Sequence, residues 1–122
     1  MANRQQSPSH NQLAAGRRKA RHYAMQALYQ WHMAGQALSV IEAEFQADYD
    51  MSNVDKEFFH DLVHSIPAQL TDLHGLFEKH LDRKLSDLDP IELCLLRMGS
   101  YELLRRIDVP YKVAINETIN LG

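Results

Sequence analysis

Apolar residues recur along this chain at helical spacing, and no segment shows the convincing period-two alternation of a half-buried strand. Between Leu13 and Met33 the stripe is Ala20, Ala24, Ala27, Leu28 and Trp31, which predicts a helix that Gly35 stops. Ser39 offers an N-cap for a short second helix through Ile41 and Phe45. Ser52 to Asp55 forms another capping region, followed by a long helix with Phe59, Leu62, Val63, Ile66, Leu70, Leu73 and Phe77 on one face. Pro67 lies inside that helix and should bend it or split it in two. Asp89-Pro90 is a strong start signal, an acid at the N-cap with proline in the first turn. Ile91 to Ile107 is apolar on two sides, through Ile91, Cys94, Leu95 and Met98 and through Leu93, Leu96, Leu103 and Leu104. That pattern belongs to a central, buried helix. Asp108 and Pro110 begin a last helix through Val113, Ala114 and Ile119. With only five glycines and four prolines, the turns of a β-sandwich cannot be supplied. The expected fold is all-α, a compact bundle of about five to six helices.

A chain of 122 residues is enough for one domain with a real core. Residues 1–11, with Gln5, Gln6, Ser7, Pro8 and Ser9, read as a disordered leader, and residues 12–122 as the single domain. One cysteine, Cys94, cannot form an internal disulfide and fits a reducing compartment. No apolar run approaches the ~18–20 residues of a membrane span, and no hydrophobic signal segment precedes Gln12. These features predict a cytoplasmic protein.

Charge is distributed unevenly. Residues 1–41 hold no acid and carry +5, residues 42–78 carry −8, and the remainder balances, for a net −3. Four of the N-terminal cations fall within five residues, Arg17, Arg18, Lys19 and Arg21, at a helix start where the helix dipole disfavours positive charge. At 100° per residue, Arg18, His22, Met25 and Tyr29 point roughly opposite the alanine and tryptophan stripe. The outer face is therefore basic and then aromatic, which suits phosphates held beside a stacked base of single-stranded RNA. The competing readings are a merely solvated basic terminus, and a Tyr29 packed on a neighbouring helix of the same chain.

Catalytic equipment is hard to find. His60 and His64 stand i, i+4 on a helix and could share a metal, but there is no H-E-x-x-H, no cysteine pair and no evident third ligand. They read as surface histidines, and no metal or cofactor is expected. Cys94 lies in an apolar stripe and reads as a core thiol. Met98-Gly99-Ser100-Tyr101 lacks the first glycine of a nucleophile elbow and sits mid-helix. No phosphate-binding glycine loop occurs. A non-enzymatic binding protein is expected.

Several stretches carry a family likeness: Arg17-Arg18-Lys19-Ala20-Arg21, Ala24-Met25-Gln26-Ala27-Leu28-Tyr29-Gln30-Trp31, Leu95-Leu96-Arg97 with Tyr101-Glu102-Leu103, and the specific decapeptide Asp108-Val109-Pro110-Tyr111-Lys112-Val113-Ala114-Ile115-Asn116-Glu117. Across residues 17–122 the chain resembles the NusB family of bacterial transcription antitermination factors. The resemblance implies a helical bundle of two stacked subdomains. It also implies binding to the boxA element of ribosomal RNA transcripts as a heterodimer with the ribosomal protein NusE, within the transcribing RNA polymerase complex. Carried over by residue, it gives RNA contact to Arg17, Arg18, Lys19 and Arg21, a shared RNA and partner surface to Tyr29, and a partner-facing acid to Glu92. His80 stands where close relatives have a tyrosine near the RNA. Family members continue beyond the position of Gly122 with a loop and a further helix, so the resemblance implies a domain lacking that helix.

Two other readings stay open. A helical protein-interaction module would share the fold without the RNA, against which the acid-free basic region speaks. The RNA-targeting domain of an RNA methyltransferase is the other, although this chain has no cofactor-binding strand-loop-helix.

Overall fold

Small side chains decide where the first helix is crossed. In α1 (His10–Ala34), Ala20, Ala24 and Ala27 are fully buried and let α3 (Lys56–Ala68) and α5 (Pro90–Arg105) pack close to its backbone. The computed structural model describes residues 10–105, and among them the fold is all-α, completed by α2 (Leu38–Asp48) and α4 (Leu70–Phe77). The expected leader and the expected last helix lie largely or wholly outside the described residues. α1 starts three residues before the expected Leu13. It ends as expected at Gly35, whose φ of +69° is a left-handed cap conformation and whose N–H bonds Trp31 O at 2.8 Å.

The second helix corrects one expectation. Ser39 lies inside α2 and is not its N-cap. The cap is Ala37, whose carbonyl accepts from Val40 and Ile41 at 3.1 and 3.0 Å, and which has no side-chain oxygen to offer. Burial of Ile41 and Phe45 sets this helix in place instead of a cap. Asp55, by contrast, does cap α3, accepting from Phe58 N at 3.0 Å. The loop before α3 rests on α1, where Asp55 N donates to Gly16 O at 3.1 Å. A Cβ at Gly16 would come within 3.3 Å of that same nitrogen.

Pro67 splits the long helix. It lacks an N–H and its ring crowds the carbonyl four residues back, so α3 stops at Ala68 and α4 restarts at Leu70 with Gln69 between them. Both pieces keep the expected face: Phe59, Leu62, Val63, Ile66, Leu73 and Phe77 are buried, and Leu70 packs against the core. From Glu78 to Asp89 the chain passes through two short 3-10 turns, Glu78–His80 and Leu85–Asp87, and no residue in that stretch is buried.

α5 opens with a reciprocal cap. Ile91 N donates to Asp89 Oδ1 at 2.8 Å, and Asp89 N donates to Glu92 Oε1 at 3.3 Å. Its burial differs from the all-round apolar expectation. Leu93, Cys94, Leu95, Met98 and Tyr101 go inside, while Ile91, Leu103 and Leu104 are exposed. Two charged residues, Arg97 and Glu102, are buried instead. Asp61 of α3 ties this helix down, accepting from Tyr101 Oη at 2.7 and 2.8 Å and from Ser65 Oγ at 2.8 Å.

Candidate nucleic-acid interface

The basic cluster occupies the third and fourth turns of α1 and not the helix start expected of it, and the fold sorts its four members. Arg18 and Lys19 are exposed, as is His22 one turn on. Arg17 is half-buried, 3.6 Å from Asp55, with its guanidinium 5.5 Å from the centre of the Phe58 ring. Arg21, to which the family resemblance gives RNA contact, is buried. Its Nε lies 3.0 Å from each oxygen of Glu102 and its Nη2 2.8 Å from Oε1, a two-pronged pair whose side chains are 3% and 1% exposed. The Arg21 guanidinium also sits over the Phe58 ring, at 5.2 Å. Its place follows from spacing, since Arg21, Ala24 and Leu28 stand at i, i+3 and i+7 and share the core face. Glu102 stands four residues after Met98 on the matching face of α5. The pair thus joins α1 to α5 in the interior, and Arg21 is not part of the outer face.

Tyr29 is half-buried and packs against the core cluster, as does Met25. The tyrosine therefore combines a packed position with some accessible surface, between the two sequence readings. Lys19 borders a shallow groove with Gln12, Leu13, Asn53 and Asp55. Asp50, in the loop after α2, is held below its ordinary 3.8 by hydrogen bonds from Ser52, with Lys19 and Lys56 adding to the shift, so acid charge lies near this end of the face. Glu92 is exposed at the start of α5 and shares a shallow depression with Ile91, Leu95 and Leu96. His80 is exposed in the first 3-10 turn.

Burial pushes the Cys94 thiol up, which keeps it a protonated core group. His74 accepts from Arg97 Nε at 3.0 Å through its Nε2, and burial, followed by the Arg97 charge, holds it below 6.5. The two histidines of α3 have a third polar neighbour that spacing did not reveal. Glu42 of α2 lies 2.9 Å from His60 Nδ1 and 2.7 Å from His64 Nε2. Eighteen and 22 residues separate these groups, and only the packing of α2 on α3 brings them together.

Comparison with known proteins adds the following. The NusB family model matches residues 18–122. The chain is 53% identical over 110 residues to the transcription antitermination protein NusB of Saccharophagus degradans, covering 89% of this chain and 73% of that one. It is 55% identical to the protein of the same name from Teredinibacter turnerae, over 89% of this chain and 75% of the relative. For Pseudomonas savastanoi pv. phaseolicola the identity is 52%, with 89% and 66% covered. The shared name is that of a transcription factor and not of a catalyst, in keeping with the expected lack of enzymatic function. On the extent of these matches, the chain belongs to the NusB family of transcription antitermination factors.

Proposed function

We propose that the chain binds boxA-type RNA of ribosomal RNA transcripts in the cytoplasm, as a heterodimer with ribosomal protein NusE, and acts there on the transcribing RNA polymerase complex. The observation that carries this reading is the outer face of α1, where exposed Arg18 and Lys19 precede exposed His22 and half-buried Tyr29. Cations of this kind hold phosphates, and an accessible aromatic edge takes a base or a partner side chain. Arg17, tethered near Asp55, can add to the field at the same end. Glu92 and its apolar neighbours supply the partner contact. Among the described residues no helix is long and apolar enough to cross a membrane.

With Arg21 held inside, the basic face is small, which supports weak binding alone and stronger binding with a partner. Titrating labelled boxA-like RNA with and without NusE tests this. NusE should tighten binding to boxA-like RNA over a scrambled RNA by at least ~1.4 kcal/mol, a tenfold factor. Equal affinity for the two RNAs in the presence of NusE would leave the protein-interaction reading in its place.

A further inference from the structure

Helices α2 and α3 cross with Phe45 of one 6.1 Å from Phe59 of the other, centroid to centroid. Beside that contact, three polar side chains converge. The His60 and His64 rings lie 4.4 Å apart, tilted by 37°, as i, i+4 neighbours on one helix face. Both aim a nitrogen at the same carboxylate: Glu42 Oε1 is 3.0 Å from His60 Nδ1 and 2.7 Å from His64 Nε2. The three ligand atoms all lie within 4.8 Å of one another. Glu42 is 15% exposed, His64 32% and His60 61%, so the carboxylate is seated while one side of the cluster faces water.

The geometry points to a divalent transition-metal site of the class that takes Zn2+, formed by Glu42, His60 and His64. Two imidazoles and one carboxylate are the donor set that zinc accepts with a further position left for water. Around a tetrahedral ion with bonds of about 2.0–2.1 Å, donor atoms sit roughly 3.3–3.4 Å apart. The existing separations of 2.9 and 2.7 Å would open by about half an ångström, which small side-chain rotations supply. Each neutral ring moves its proton to the other ring nitrogen, and the freed lone pair then faces the ion. The carboxylate also meets the requirement for an ionised ligand. A glutamate side chain is ionised at neutral pH. Ile41 and Phe45 on α2, and Phe59, Leu62 and Val63 on α3, are buried and fix the two backbones that carry the ligands. A bound ion would therefore pin α2 to α3.

The test is a Zn2+ titration of the tag-free chain by calorimetry, repeated on Glu42→Gln, His60→Gln and His64→Ala, with His32→Gln as the control at an exposed histidine elsewhere on α1. One Zn2+ per chain is expected. Each of the three ligand substitutions should weaken it by at least about tenfold, the loss that even an outer-shell partner commonly causes, and His32→Gln should leave it unchanged. Added Zn2+ should also raise the Tm of the wild type and not that of His60→Gln. His60 is largely exposed, so this variant keeps its fold, and a circular dichroism spectrum checks that. Wild-type affinity in both His60→Gln and Glu42→Gln, or no zinc binding by the wild type, would overturn the site.

Discussion

Replacing Arg21 by alanine separates its two possible uses. In the fold its guanidinium makes contacts of 2.8–3.0 Å to Glu102, and both side chains are almost wholly buried. Removing the arginine takes a two-pronged cation away from a buried carboxylate, and breaking such a pair from one side costs about 3–5 kcal/mol. Against a typical total stability of about 5–15 kcal/mol this is a large share. For a chain of this size it corresponds to a Tm lowered by roughly 10–20 °C. The double substitution Arg21→Met with Glu102→Leu should regain most of that loss, since apolar pairs of similar volume often match or exceed a buried ion pair. Thermal unfolding followed by circular dichroism measures both. The contrasting variant is Arg18→Ala with Lys19→Ala. These exposed residues should shift stability by no more than about 0.5 kcal/mol. If they meet two phosphates, the log–log salt slope of RNA affinity should flatten by about 1.4 units. The reasoning is refuted if Arg21→Ala lowers the Tm by less than ~3 °C while flattening that salt slope, because the arginine would then be serving RNA and not the core.

Two further outcomes follow from the interior. Tyr101→Phe removes the hydroxyl that donates to the Asp61 carboxylate while keeping the ring, and should cost about 1.5–3 kcal/mol in a urea titration; an unmoved midpoint would mean that the bond contributes nothing. His74 is held below 6.5, so the unfolded chain takes up a proton that the folded chain resists. Its contribution to stability is complete above pH 6.5 and is lost as pH falls below that value; His74→Gln should flatten this part of the stability profile, and an identical profile would place the dependence elsewhere.

Local signals made much of the fold legible. Gly35, Asp55, Pro67 and the Asp89-Pro90 pair each act through their own backbone chemistry, and each marks a boundary where the structure has one. Ser39 failed because packing of Ile41 and Phe45 starts α2 early and makes a cap unnecessary. The family resemblance gave Arg21 to RNA contact, although its spacing from Ala24 and Leu28 places it on the core face. Its partner Glu102, 81 residues away, together with the Phe58 ring beneath it, helps make that burial tolerable. Ile91, Leu103 and Leu104 are exposed where the pattern put them inside, while Arg97 and Glu102 take buried positions on the same helix. Glu42 was invisible as a neighbour of His60 and His64 because helix crossing, and not sequence spacing, sets that distance. Exposure of Arg18 and Lys19, in contrast, follows directly from projecting α1.

The stretch from Glu78 to Asp89, with no buried residue, has a consequence for how the molecule comes apart. Amides there depend on two short 3-10 turns and on leucines, Leu81, Leu85 and Leu88, that are only half-buried, so they should exchange with solvent through local opening while α1, α3 and α5 stay closed. Lys79, Arg83 and Lys84 lie within it and offer trypsin its cleavage points. A cut at one of them would sever the chain before α5 without releasing that helix. The Arg21–Glu102 pair and the Tyr101–Asp61 hydrogen bonds would still bridge the nick, and the two fragments should migrate as one particle until a denaturant is added.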